Sequence, residues 1–339
     1  MALTEIIVDY AAGVGGALKH LFLGVGSFLS PAPVLVALAI AAVIVARRLR
    51  RDGEASNPSA IWRALFPAQI WRHVSARHDL FIIAINDGVL FFLPALAGGA
   101  VSIAAVQTAR SLGVDFYAPA QTQPVWLIAF GIYMALAWDF LATYAHYLKH
   151  KVPILWEFHK VHHCAEVLTP LTAMRRHPFE SVFSTMLITA GMITAISLWI
   201  TLFGAPGSLV DIGGLAVIVY LWRLLGYNIR HSHIWISYGS FWNRYLMSPA
   251  HHQLHHSREA RHHDCNFGHI FTFWDRLFGT LYAPVEGERF EFGIEAEENA
   301  KLNTLRALYL RPIRQAAARF APPGELPPSR HAGASGMEN

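Results

Sequence analysis

Twenty-six consecutive positions, Leu21 to Ala46, hold no charged residue, and no other feature limits the fold of this chain so strongly. A helix of that length exceeds the about 20 apolar residues needed to cross a hydrocarbon layer roughly 30 Å thick. Pro31 and Pro33 interrupt the run, so the span itself is predicted from about 30 to 46. Arg47, Arg48, Arg50 and Arg51 follow at once, and basic residues at the end of a span mark its cytoplasmic side. The composition agrees: 54% of the 339 residues are hydrophobic and 15% charged, with a mean hydropathy of +0.33, values typical of membrane proteins. The net charge of +4 does not indicate a nucleic-acid partner, because the basic residues flank apolar spans.

Further spans follow in order. Residues 1–20 carry Glu5 and Asp9 where a secretory signal would carry basic residues, so no cleavable signal peptide is expected. The run Gly13-Val14-Gly15-Gly16 lacks the strand–turn–helix context of a nucleotide loop and reads as helix packing or a lead-in. Residues 52–78 are polar yet carry Trp62, Phe66 and Trp71, the pattern of an interfacial helix. A second span is predicted over about 80–106 with Asp87 inside it. A carboxylate at that depth is either functional or paired locally, with Asn86 or a facing helix. The nearly neutral loop from Thr108 to Pro124 fits the external side. A third span, 125–144, returns to the cytoplasm and delivers Asp139 and then His146. Lys149, Lys151, Lys160, Arg175 and Arg176 repeat the cytoplasmic signal. Ser181 to Leu221 reads as a helical hairpin, out over 181–203 and back over 208–225, the second arm short and carrying Asp211 and Arg223. The tail from Pro322 is rich in Pro, Gly, Ser and Ala and is expected to be disordered. The expected fold is therefore all-α: an integral membrane protein of four to five transmembrane helices, one hairpin among them, under a cytoplasmic helical cap. Its divisions are a membrane region over 1–124, a histidine-rich region over 125–285 and a charged C-terminal segment over 286–339.

The cap is where the chemistry lies. Of 19 histidines, 15 fall between His146 and His269. They form HxxxH (His146, His150), HxxHH (His159, His162, His163) and HxxHH again (His252, His255, His256). Residues three or four apart share a helix face, so each motif is expected to aim its rings at one point. Eight imidazoles exceed the four ligands that close a zinc site, which leads to two metal ions. Imidazole suits iron, zinc, copper and nickel alike. The absence of HExxH removes the general base of a zinc metalloprotease from its usual place, and none of the eight motif histidines has a carboxylate at the ExxH spacing of a Glu-rich di-iron bundle. Only Cys164 and Cys265 occur, neither in a CxxC, so no disulfide framework or thiolate site is indicated.

Four stretches together carry a resemblance: Asp139-Phe140 through Tyr144-x-His146-x-x-x-His150; Leu155-Trp156-x-Phe158-His159-Lys160-Val161-His162-His163; Pro249-x-x-His252-x-x-His255-His256-Ser257; and Asn266-Phe267-Gly268 with Trp274 to Thr280. Over residues 125–283 the chain resembles the fatty acid hydroxylase/sterol desaturase superfamily. The resemblance implies a membrane-bound oxygenase in which two iron ions, replaceable by zinc on purification, use O2 as co-substrate. Its metal-binding histidines would be His146, His150, His159, His162, His163, His252, His255 and His256. His231 would be a further ligand, with His233 beside it as the alternative. His177 and His251 are candidate extra ligands or orienting groups, and His262, His263 and His269 read as surface or orienting residues. Trp274 to Thr280 would close the site by packing. Departures are Tyr147, where the family commonly has Arg, and the extra His251 before His252.

The implied reaction is oxidation of a lipid C–H bond to an alcohol, with desaturation by the same site as the nearest alternative. Electrons would come from a separate ferredoxin- or cytochrome b5-like protein, because no flavin, dinucleotide or haem signature occurs in the sequence. A membrane metal transporter would want ionisable groups within its spans, where only Asp87, Asp139 and Asp211 lie near one. A di-zinc hydrolase would work without oxygen. The pattern leaves open the lipid, the position oxidised and the oligomeric state.

Overall fold

The computed structural model describes Gly16 and residues 31–117, 120–121, 123–206 and 228–320. The expected return arm at 208–225, the lead-in before residue 30 with most of its glycine run, and the tail from Pro322 lie outside the described residues. Fourteen helices order the rest: α1 (Pro31–Arg51), α2 (Pro58–Leu65), α3 (Ala68–Trp71), α4 (Val74–Gly88), α5 (Phe92–Ser111), α6 (Pro124–Lys151), α7 (Pro153–His163), α8 (Pro178–Phe203), α9 (Asn228–Arg230), α10 (Gly239–Trp242), α11 (Pro249–His255), α12 (Phe273–Phe278), α13 (Ala296–Ala300) and α14 (Leu305–Ala318). One two-residue parallel pairing, Ala120–Gln121 with Ala205–Pro206, is the extent of the sheet among them.

Proline punctuates this order. It opens α1, α2, α6, α7, α8 and α11, where its missing N–H costs nothing and its fixed φ suits the first turn. The most consequential is Pro153. It drives Val152 to an extended conformation (φ −95°, ψ 113°), as the residue before proline prefers. The chain therefore turns between the helix that carries HxxxH and the helix that carries the first HxxHH.

Helices α1, α5, α6 and α8 are long and apolar enough to cross a membrane. Only 11% to 33% of the residues in their apolar windows are buried within the protein, so the remaining apolar faces need lipid to cover them. The second span differs from expectation. The apolar run from 80 to 106 is broken at Val89–Phe91 into α4 and α5, and Asp87 sits at the end of α4, outside the span. The break falls where Gly88, a poor helix former, is followed by a helix start in which Pro94 lies in the first turn.

Two contacts fix the directions of the spans. A Cβ on Gly98 of α5 would lie 3.0 Å from Cγ2 of Thr185 on α8. Both residues are near their helix starts, so α5 and α8 run side by side in the same sense. Helix α6 runs opposite to them: Tyr133 near its start donates to the Ala195 carbonyl (3.1 Å) near the end of α8, and Trp126 packs on Phe203. At about 1.5 Å per residue, the 28 residues of α6 outrun a roughly 30 Å bilayer core. Its last turns emerge carrying His146 and His150.

The cap forms around those turns. Val161 and Cys164 pack with Ile82 of α4 and with Ile294, Leu302 and Leu308 of the C-terminal segment. Lys160, 3% exposed, bonds Glu157, Glu298 and Gln315. Arg175, 1% exposed, donates to the Val161 carbonyl, the Ser75 carbonyl and Asp79. These two cations, part of the positive charge that the sequence concentrates over 149–176, are internal staples. Burying them unpaired would be prohibitive, so each is matched by a carboxylate.

Candidate metal centre

Helix geometry corrects one expectation about the rings. Successive residues on a helix point about 100° apart (3.6 per turn), so neighbouring histidines cannot face one point. Each HxxHH is divided accordingly. His159 and His163 join His146, His150 and His255 in a five-ring group, while His162 joins His231, His252 and His256 in a four-ring group. The second motif divides in the reverse sense: its i and i+4 rings serve the four-ring group and its i+3 ring the five-ring group. All nine side chains are buried. The groups abut, with the His163 and His256 rings stacked at 4.5 Å between centroids.

The tautomers follow from the partners. Nδ1 of His146 donates to the Phe267 carbonyl (3.0 Å), Nδ1 of His255 to the Cys265 carbonyl (2.6 Å), and Nδ1 of His162 to the Arg175 carbonyl (3.2 Å). A carbonyl can only accept, so these Nδ1 atoms carry the protons and the Nε2 lone pairs point inward. Nε2 of His146 nevertheless lies 3.0 Å from Nε2 of His255. His231 Nε2 lies 3.1 Å from His162 Nε2 and 2.7 Å from His252 Nε2. His146 and His255 both have Nδ1 committed to a carbonyl, so their two inward lone pairs repel at 3.0 Å unless a cation lies between them, whereas no protein acceptor fixes the His231 tautomer. An imidazole-bound metal with bonds of about 2.0–2.1 Å holds ligands at right angles about 3 Å apart. The donor set therefore fits two metal ions, one per group.

Two carboxylates stand behind the five-ring group. Glu180, in the first turn of α8, accepts from His159 Nδ1 (2.9 Å) and from Lys149 (2.8 Å), leaving His159 Nε2 without a protein partner. Asp264 lies 3.5 Å from His150 Nδ1 and 2.7 Å from Lys151. Although burial would raise the Asp264 carboxyl, its hydrogen bonds from His150 and Lys151 hold it below the usual carboxylate range. Such partners fix ring orientation and raise ligand basicity. The four-ring group is supported differently: Nδ1 of His231, His252 and His256 has no protein partner.

The remaining histidines do other work. His177 caps α8, accepting from Phe179 N, and its Nε2 bonds the Tyr309 carbonyl. His251 caps α11 through Ser248. His233 bonds the Ala64 carbonyl, so His231 is the member of that pair that enters the cluster. His262 is fully buried on Glu288 and belongs to the interior, while His263 is exposed.

Sequence reasoning did not find the clamp that presents the carbonyls of Cys265 and Phe267. Asp264 and Asn266 adopt left-handed backbone (φ 59° and 58°), a conformation uncommon outside glycine. Asn266 is held there by hydrogen bonds to His251 and Tyr282. Asp275 accepts from both Phe267 N and Gly268 N at 2.7 Å. Asp139 accepts from Ile270 N and from Trp274 Nε1. A Cβ on Gly268 would lie 2.7 Å from the Asp275 carboxylate and the Phe271 carbonyl, so glycine is required there by close approach. The one hint in the sequence is the pairing of acids with Asn266–Gly268 and Trp274, whose spacing does not reveal who bonds whom.

Residues 131–280 match the fatty acid hydroxylase family. Alkylglycerol monooxygenase of Danio rerio is 27% identical over 215 residues, covering 63% of this chain and 43% of that protein. Ornithine lipid hydroxylase OlsE of Rhizobium tropici is 26% identical over 56% of this chain and 57% of its own length. A Delta(7)-sterol 5(6)-desaturase of Aspergillus fumigatus is 31% identical over 47% and 50%. The chain thus spans less than half of the alkylglycerol monooxygenases it matches. No solved structure matches it.

Two outcomes are expected. Asp275→Ala frees the loop that orients His146 and His255, and metal affinity should fall about 10- to 100-fold, measured as metal per purified chain during chelator titration. Unchanged retention would show the clamp to be dispensable. Burial also holds the rings of His159, His162, His163, His231, His252, His255 and His256 well below the usual imidazole range. A lowered folded pKa contributes stability above the unfolded value of about 6.5 and loses it as pH falls below that value. Thermal stability of the metal-free protein should therefore be flat above that pH and decline below it.

Proposed function

This chain belongs to the fatty acid hydroxylase/sterol desaturase superfamily, and on that premise we propose that it is a membrane-bound oxidoreductase that uses O2 to hydroxylate a C–H bond of a lipid. The observation that carries this reading is the all-imidazole cluster of nine buried rings, divided five and four, at the emerging end of a transmembrane helix. Two iron ions would be held there, one by His146, His150, His159, His163 and His255, the other by His162, His231, His252 and His256. When bound they would supply the reducing equivalents and the oxygen activation that no side chain provides. The Nδ1 acceptors of His146, His159, His162 and His255 would keep the Nε2 atoms of those rings in ligand form as charge on the centre changes. Trp274, Phe267 and the clamp loop would exclude water and hold the ligand rings rigid. Electrons would arrive from a separate ferredoxin- or cytochrome b5-like protein.

Hydroxylation is preferred over desaturation because alkylglycerol monooxygenases and an ornithine lipid hydroxylase are among the relatives, although sterol desaturases are too. The decisive comparison is of lipid extracts from cells carrying wild type or His255→Ala. Wild type should contain a lipid one oxygen atom heavier than its precursor, and the variant should lose it at normal protein abundance. A product two hydrogens lighter would make the enzyme a desaturase; no change would remove the assignment.

The cluster is proposed to face the cytoplasm. The support is the Arg47–Arg51 group at the end of α1 together with the basic residues over 149–176, against a nearly neutral loop over 108–124. Both native cysteines are buried, so a single cysteine placed at Asp115 should react with an impermeant maleimide in intact cells. Protection there would reverse the orientation.

A further inference from the structure

A cavity of about 390 Å³ lies outside the metal cluster, where the α4–α5 break meets the start of α8. Its position in the bilayer follows from the helices that form it. Two spans, α5 and α8, begin at its wall and run away from it in parallel, so it lies at the boundary between head groups and chains. It is on the same side as the metal centre, because the first turn of α8 also carries Glu180, the partner of His159. Arg176 in the wall follows directly on Arg175, whose carbonyl holds His162.

The lining is of two kinds. Leu90, Phe91 and Ile188 give an apolar side, while Ser181, Ser184 and Thr185 add hydroxyls. Asp87 and Arg176 bring opposite charges into the same space, yet no nitrogen–oxygen contact within 4.0 Å joins them. Asn86 fixes the segments that carry them. Its amide donates to the Arg176 carbonyl (2.6 Å) and accepts from Tyr309 (2.9 Å), which fixes both backbones. The start of α8, two residues beyond Arg176, adds a positive helix-dipole end at the wall. A pocket of this size suits a small molecule or the end of a larger one. Two held-apart opposite charges match a ligand that carries both.

We infer that this cavity takes the polar end of a membrane lipid with a dipolar head group, its ammonium beside Asp87 and its phosphate or carboxylate beside Arg176. The inference rests on the lipid-oxidising reading in that the bound lipid would be the substrate, its chain extending along the apolar wall beside the metal centre. Charge-assisted hydrogen bonds to guanidinium and carboxylate are roughly twice as strong as neutral ones, so the head group would select the substrate while the chain supplies general affinity.

The test reads binding, so it stands apart from turnover. The full chain in detergent micelles is titrated with phosphatidylethanolamine, phosphatidic acid and diacylglycerol of identical chains, with occupancy read by native mass spectrometry. Wild type should bind phosphatidylethanolamine at least about tenfold more tightly than diacylglycerol, with phosphatidic acid between them (a tenfold step is about 1.4 kcal/mol). Asp87→Asn should erase the advantage of phosphatidylethanolamine over phosphatidic acid. Arg176→Gln should bring phosphatidic acid down to diacylglycerol and shrink the advantage of phosphatidylethanolamine over it, with metal content unchanged in each variant. Equal binding of all three lipids by wild type, or a preference that survives both substitutions, overturns the inference. Either result can occur with oxidation intact, and loss of oxidation with selective binding retained would instead fault the proposed function.

Discussion

A buried imidazole is fixed with its lone pair inward when its other nitrogen places its proton on an acceptor. That condition organises the part of the cap around His146, His159, His162 and His255. His146, His255 and His162 spend Nδ1 on backbone carbonyls, and His159 on Glu180. Each assignment fixes a tautomer and turns the Nε2 lone pair of that ring into the cluster. Elements remote in sequence exist in their observed places because they supply these acceptors.

The acceptors are themselves held by a second set of bonds. Asp275 and Asp139 grip the backbone from Phe267 to Phe271, and Arg175 ties α4 to the end of α7 while offering its own carbonyl to His162. Asp139 is the link to the membrane: it sits on α6, two turns before His146, and anchors the loop that orients the His146 ring. The spanning helix thus carries a ligand and also positions the loop behind that ligand.

The bilayer contributes in a second way. Because α5 and α8 start together at the cap while α6 ends there, three span termini meet beside the metal centre. Helix ends bring polar backbone and side chains to the level of lipid head groups, whereas the apolar lengths remain below. In the proposed reading, a lipid entering laterally would meet charge before it reached the histidine cluster.

Much of this was legible in the linear chain. The charge-free run after Leu21, the apolar stretches over 125–144 and 181–203, and the three histidine motifs are local patterns, and helix period and bilayer thickness act on local pattern. They determined the all-α membrane class and eight of the nine clustered rings, with His231 placed beside its alternative. What the chain could not show depends on contacts between distant residues. The division of each HxxHH between two groups follows from the 100° step between neighbours combined with where α7 and α11 face one another. The choice of His231 over His233 was made by the Ala64 carbonyl, 169 residues away. Glu180, Asp264 and Asp275 carry no local signature of their roles, and nothing local marks Lys160 and Arg175 as residues that packing would enclose. A side chain's type and period are written in sequence, but which atom its polar end meets is decided only when separate elements pack.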